Sequence, residues 1–323
     1  MDLIHTDIKR NDVGVLDDYT LDLAYGEDEN NFECTVELEN DCCPVSSVLY
    51  IEGTEYGGII DGQRVDTENN KLVYIGRTWH GVLEWHILEP DSGEDYLILS
   101  GEANTVISTI ISRCGLEELF QASTVDSGIT ISNYKMNRYI GAYEGLRKML
   151  YANGAKLSMK YSDKIVIMSA VPFVDYSQDE EFDSSQFDFV VEKNIRPANH
   201  VICLGRGELK DREVIHLYCD ESGNISTTQT QFGENEVTIK YDCSNAESAE
   251  ELEQGGREEL EKAWEDAESC DIGFENSETC EYDIGDIVGA REEHTGIFVS
   301  RPINKKIVKI NKDGISVKCQ IGE

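Results

Sequence analysis

The sequence predicts a β-rich α+β protein in three parts. A β unit spans residues 1–103, a small α+β unit spans 104–176, and a second β unit spans 177–323 and carries one acidic helix at about 244–270. Three observations lead there: a stepwise distribution of charge, a hydrophobic period that switches from strand-like to helical and back, and the length of the chain. At 323 residues the chain exceeds the roughly 100–200 residues of an ordinary domain.

The charge steps are sharp. Residues 1–103 hold 24 acidic against 5 basic side chains, a net of -19; residues 104–176 hold 6 against 8, a net of +2; residues 177–323 hold 34 against 15, again -19. A near-neutral block between two acidic ones marks domains independently of secondary structure.

Within the first block, Phe32-Glu33-Cys34-Thr35-Val36-Glu37-Leu38 alternates apolar and polar positions, as a half-buried antiparallel strand does. Ser47 to Ile51 and Leu72 to Ile75 are short β-rich runs, and Trp79, Trp85 and Ile87 read as a further strand pair around Gly81. In that pair Trp79 is expected to pack inward and His80 to face out.

The middle block turns helical. Asn104 is the expected N-cap of a helix with Val106, Ile107, Ile110 and Ile111 on one stripe. A second helix is expected from Arg138 to Asn153, with Tyr143, Leu146, Met149 and Leu150 inward and Gly154 just past its end. A hairpin follows, Ala155–Tyr161 and Lys164–Val171 around a turn at Ser162-Asp163. Beyond Asp175 strands resume at Phe187–Val191, His200–Leu204, Val214–Cys219 and Val237–Tyr241. The helix after Ser244-Asn245 has few apolar positions (Leu252, Leu260, Trp264), and Gly255-Gly256 should weaken its centre by roughly 1 kcal/mol per glycine. Asp313-Gly314 is the best hairpin turn in the strand-rich C-terminal part.

Composition excludes several functions. A net charge of -36 opposes tight nucleic-acid binding, which needs Lys and Arg on phosphates, and opposes adhesion to an anionic membrane. No apolar run approaches a membrane span of roughly 20 residues, and the start Met1-Asp2-Leu3-Ile4-His5 lacks a signal peptide's basic and apolar regions. Folding in a cytoplasm is expected. The ten cysteines are scattered without a CxxC, so they are read as reduced, small apolar residues. His216 with Cys219 forms half of a zinc-like spacing, but no second pair accompanies it, and no metal or cofactor is expected.

Catalytic templates fit poorly. Gly205-x-Gly207 lacks the third glycine and the following helix of a dinucleotide site, so it reads as a tight turn. There is no phosphate loop and no HExxH, and Ser127-Gly128 does not match a nucleophile elbow. With 64 acids, carboxylate pairs such as Glu292-Glu293 or Asp179-Glu180-Glu181 arise by chance.

Three stretches carry a resemblance. The first runs Tyr74-Ile75-Gly76-Arg77-Thr78-Trp79-His80-Gly81-Val82-Leu83. The second joins Tyr143-Glu144-Gly145-Leu146-Arg147 to Asn199-His200-Val201-Ile202-Cys203-Leu204-Gly205-Arg206-Gly207-Glu208. The third is Ile284-Gly285-Asp286-Ile287-Val288-Gly289. In this order and spacing they resemble the tail-hub family of siphovirus-type phages and prophages, which is related to contractile-phage baseplate hubs and to the hub part of type VI secretion spike proteins. Over about residues 40–323 the resemblance implies two tube-like β-barrel domains interrupted by other domains. It implies a ring of three copies, joined to the tail tube or distal tail protein on one side and to a spike, fibre or tape-measure protein on the other. It brings no catalytic residues. The expected site residues are therefore the structural signature positions Gly76, Arg77, Trp79, His80, Gly81, Tyr143, Gly145, Leu146, Asn199, His200, Gly205, Gly207, Glu208, Gly285, Asp286 and Gly289. The two acidic blocks, as barrels, would line a passage that DNA traverses without sticking. The competing readings are a carbohydrate- or cell-wall-acting protein and an acidic mimic of nucleic acid.

Overall fold

The computed structural model describes residues 1–27, 29–177, 181–183, 189–193, 196–246, 248–265, 267–276, 282–292, 294–312 and 314–321. The chain divides into two compact units: Met1–Phe182 with Ile272–Ala290 and Ser300–Ile321, and Asp183–Asp271 with Arg291–Val299 and Gly322–Glu323.

The first unit is built on one long sheet. From the strand Glu268–Asn276 its neighbours follow as Gly314–Ile321, Phe298–Asn311, Thr20–Gly26, Asn31–Glu37, Lys71–Thr78, Gly57–Asp66, Val48–Tyr50, Leu3–Thr6 and Asp12–Leu16. The alternation read from sequence sets the buried face: Phe32, Cys34 and Val36 point in, and Leu21 and Leu23 stand opposite Cys34 and Phe32. Gly76 lies opposite Phe32, and a Cβ on Gly76 or on Gly58 would strike backbone and the Phe32 ring. Those two glycines leave the room that the aromatic ring occupies.

The expected pair of β-barrels is not formed. Closure requires the two end strands to hydrogen-bond to each other, whereas Asp12–Leu16 pairs with Leu3–Thr6 and the path ends there among the described residues. Among the described residues, the last strands of the second acidic block build no barrel of their own. Residues 305–310 pair antiparallel with residues 21–26, so the C-terminal strands lengthen the sheet of the first block. The sheet is open and extended.

Three helices and the smaller sheets complete this unit: α1 (Trp79–Glu84), α2 (Ala103–Arg113) and α3 (Ala142–Tyr151). Their apolar stripes meet the hairpin Ala155–Ser162/Ile165–Pro172, with Trp79, Leu83, Ile107, Ile110, Leu146, Met149 and Met168 in one core. The hairpin turns at Asp163-Lys164, both with positive φ. Gly154 takes φ +75° beyond α3. Two local readings are corrected. Trp79–Glu84 is a helix, not a strand, because Thr78 caps it and a helical period buries Trp79 and His80 together. Glu102, not Asn104, caps α2: its carboxylate accepts from the Thr105 amide at 2.8 Å, while Asn104 is buried inside the first turn.

The second unit packs α4 (Ala249–Glu265) on a four-stranded sheet ordered Ile225–Ser226, Val214–Cys219, His200–Leu204, Thr238–Asp242, the last pair parallel. Val201, Cys203, Leu217, Cys219, Leu252 and Leu260 fill the space between. Gly255 and Gly256 have a packing reason. A Cβ on Gly256 would strike the Cys203 sulfur, and one on Gly255 the Tyr241 hydroxyl. The expected hairpin turn at 313–314 includes Asp313, which lies outside the described residues; Gly314 has φ +141° and pairs with Asn311.

Candidate functional site

In the first unit the signature residues gather where the strand Lys71–Thr78 runs into α1. The Thr78 hydroxyl accepts from the Gly81 amide, and Gly81 lies so close to the Asn30 carbonyl that a Cβ would strike it. Asn30, 5% exposed, explains that closeness: its amide donates to the Gly26 carbonyl (2.8 Å) and to Glu84 (2.9 Å), and its oxygen accepts from the Gly26 amide. Arg77 forks onto Asp61 at 2.8 and 2.7 Å and lies 4.2 Å from the Trp85 ring. Trp79 stacks on Tyr161 at 4.9 Å and 4°. His80 meets the rings of Tyr25 and Tyr143 edge-on at 4.8 and 5.0 Å. Burial pushes the His80 imidazole down to about 3, so it is neutral at pH 7. Leu146 is fully buried, and Gly145 lies against the Met136 sulfur and Ile140.

Beside this aromatic group lies a chain of paired charges, Lys306 and Asp286 buried and Glu55, Lys156 and Asp283 partly exposed. The Lys306 ammonium donates to Glu55 at 2.6 Å and to Asp283 at 3.2 Å; the Lys156 ammonium donates to Asp286 at 2.7 Å. Asp286 is fully buried, and its carboxylate also accepts from the amides of Val174 and Asp283, both at 2.8 Å. Gly285, at φ +94°, carries the turn that brings Asp286 under Lys156. Gly289 is buried in the strand Ile287–Arg291. Burial works against the Lys306 charge, but Glu55 and Asp283 outweigh it and hold its pKa well above the ordinary value. Burial likewise works against the Asp283 carboxylate, and Lys306 and Lys156 prevail to keep it low. These groups clamp segments more than 200 residues apart in sequence: Glu55 and Lys306 are separated by 251 positions.

In the second unit the Asn199 side chain holds the chain on either side of residue 236, donating to the Asn235 carbonyl at 2.7 Å and accepting from the Val237 amide at 3.0 Å. The His200 ring bonds Glu236 at 2.7 Å and His216 at 2.8 Å and stacks on Tyr218 at 4.4 Å. His216 and Cys219 do not converge: His216 is exposed on its strand, while Cys219 is in the core. Gly205 packs against Leu252 and Glu213, Gly207 takes φ +97°, and Glu208 is exposed. This is a strand-to-strand turn with no dinucleotide cradle.

Two surface features complete the description. The strand Asp12–Leu16 leaves one edge unpaired among the described residues and exposes Val13 and Val15 by 63% and 49%. A cleft of about 660 Å³ at the start of α2 is lined by Glu102, Glu117 and Asp126 among small polar residues. Burial works to raise the Glu102 pKa, but hydrogen bonds from Ser127, Asn104 and Thr105 together outweigh it and hold the pKa at about 2. A carboxyl so acidic is no proton donor at neutral pH. Sequence reading missed Asn30, Glu55, Lys156, Asp283 and Lys306. Asn30 bonds Gly26 four residues back and Glu84 54 residues on, and the ion-pair partners of the other four lie 23 to 251 positions away, so no local spacing marks them.

No family model and no curated protein sequence matches the chain. Solved structures do. A tail protein from Neisseria meningitidis MC58 is 11% identical, with 100% of this chain and 96% of that one covered and a TM-score of 0.55. The 43 kDa tail protein of prophage MuSo2 from Shewanella oneidensis is 10% identical, with coverage of 99% and 98% and a TM-score of 0.58. Prophage tail protein gp18 from Listeria monocytogenes EGD-e is 12% identical, with coverage of 99% and 94% and a TM-score of 0.53. The fold of this chain is that of phage and prophage tail proteins, the group to which its three sequence stretches point.

Proposed function

We propose that this chain is a structural subunit of a phage or prophage tail, acting at the tail tip or baseplate by assembly and not by catalysis. The observation that carries this reading is the fold likeness to three tail proteins over 99–100% of the chain. Copies of the chain, three in the favoured arrangement, form a ring that joins the tail tube or distal tail protein to the spike, fibre or tape-measure apparatus. The ring is part of the virion tail and is built in the cytoplasm of the host. The unpaired edge at Asp12–Leu16, with Val13 and Val15 exposed, is suited to meeting a neighbouring subunit. DNA passes through the opening without specific binding, because a subunit of net charge -36 offers few phosphate contacts.

The signature residues take structural roles in this reading. Gly76, Gly81 and Gly145 permit close approaches, and Trp79, His80 and Asp286 fix the buried junction. Light scattering of the purified chain, alone and with its tail-tube partner, is expected to give a closed oligomer of three copies, and retardation of double-stranded DNA is expected to be absent at low salt. Peptidoglycan hydrolysis by the purified chain, or tight DNA binding, would overturn the proposal.

A further inference from the structure

We propose that His5, Cys42 and Cys43 form a binding site for zinc or a like thiophilic cation. The three side chains come from different parts of the first unit. His5 is on the strand Leu3–Thr6, and the two cysteines lie in the segment between Asn31–Glu37 and Val48–Tyr50. Their ligand atoms all lie within 4.8 Å of one another. The Cys42 and Cys43 sulfurs are 3.6 Å apart. Two thiolates at about 2.3 Å from one tetrahedral zinc stand about 3.8 Å apart, so the pair is already at ligand spacing.

The surroundings hold this geometry without an ion. The Tyr74 hydroxyl accepts from both cysteine amides, at 3.0 and 3.2 Å, and donates to Asp41 at 3.1 Å. Tyr74 is itself fully buried, so the cysteine segment hangs from a fixed point. His5 is 6% exposed, and its Nδ1 is buried without a hydrogen-bond partner. A buried imidazole nitrogen without a partner is costly unless something binds it. Gly14 stands opposite His5 in the strand register, where a Cβ would crowd Nε2 at 3.1 Å, so the glycine gives the ring its place on the strand.

Protonation agrees with the assignment. Burial lowers the His5 pKa and keeps the imidazole neutral, the form that ligates. Burial, and then the neighbouring Cys42 thiol, raise the Cys43 pKa. Zinc held here would form two Zn–S bonds and one Zn–N bond, the two thiol protons passing to solvent, with no change of oxidation state. Nothing in this depends on the tail reading.

The test uses the full chain under a phosphine reductant, stripped with chelator and titrated with zinc against a chromophoric competitor. One equivalent is expected to bind with release of protons and to raise the melting temperature. Cobalt(II) is expected to give a thiolate charge-transfer band. Cys42→Ser changes an exposed residue and should leave the fold intact, yet it should weaken zinc binding at least about tenfold and abolish the cobalt band. His5→Gln should also weaken binding, and Cys114→Ser, a thiol elsewhere, should not. A chain that retains no stoichiometric zinc, or a Cys42→Ser variant that binds as the parent does, would overturn the site.

Discussion

Lys306 and Arg64 are both cations paired to carboxylates in the first unit, but their settings are opposite. Lys306 is 5% exposed and lies between Glu55 and Asp283, whereas the Arg64 side chain is 56% exposed and reaches across the sheet to Glu33. The second kind of pair is screened by water and adds little. The first cannot be broken without stranding a charge in the interior. In this acidic chain, most carboxylates are surface charge, and a few, the buried Asp286 with the partly exposed Glu55 and Asp283, set how the C-terminal segments lie on the N-terminal sheet.

The comparison can be broken at its strong end. Lys306→Met leaves Glu55 and Asp283 facing each other, and Asp286→Ala leaves Lys156 to Asp283 at 3.9 Å and takes the acceptor from the Val174 and Asp283 amides. Each is expected to lower unfolding stability by about 3–5 kcal/mol, measured by urea denaturation. The double change of Lys306→Met with Glu55→Leu should recover part of that loss; no recovery would mean that the residues do not act as a pair.

Acid should act in the same place. The folded chain holds His80 at about 3 against an ordinary 6.5. Between those values the unfolded chain binds the extra proton, so stability is unaffected above about pH 6.5 and declines as pH falls. By pH 4 the loss is roughly 3 kcal/mol. Asp283, whose pKa is lowered, loses its contribution in the same direction at still lower pH. His80→Phe should flatten the decline between pH 6.5 and 4 in a series of melts, and an unchanged slope would refute the assignment.

The glycines of α4 give a smaller effect with an informative sign. Helix propensity alone would have Gly256→Ala stabilise by up to about 1 kcal/mol. The Cys203 sulfur leaves no room for the new methyl, so a loss of about 1–3 kcal/mol is expected instead. At the weak end, Arg64→Ala should change stability by no more than about 0.5 kcal/mol, and that change should vanish in high salt.

Elements with a strong local period were legible in the sequence. Phe32, Cys34 and Val36 alternate and are buried; Leu146, Met149 and Leu150 share a helical stripe; the hairpin at 155–172 is where the alternation and the turn put it. What failed depended on distant contacts. Trp79–Glu84 reads as strand because its residues favour strands, and only the Thr78 cap and the Asn30 carbonyl reveal the helix. Barrel closure came from resemblance and not from period, and sheet order obeys pairings such as Lys306 with Tyr25 that no short window contains. From sequence Gly255-Gly256 reads as a cost to the helix; the packing that requires the pair lies on the facing sheet and has no local signal. For the signature positions, residue types were visible, but the roles of Glu55, Asp283 and Lys306 were not: a lone acid among 64 gives no signal, and nothing near Lys306 in sequence marks it as the cation that pairs with them.

The central claim is that this chain is a building block of a tail. Quantitative mass spectrometry of intact tail particles, purified from a lysate of the source phage or induced prophage, tests it most directly. The account predicts that the chain is retained through density-gradient purification at about three copies per tail, from one closed cyclic ring. Particles that are complete and infectious without the chain, or a chain found only in the soluble fraction, would contradict it.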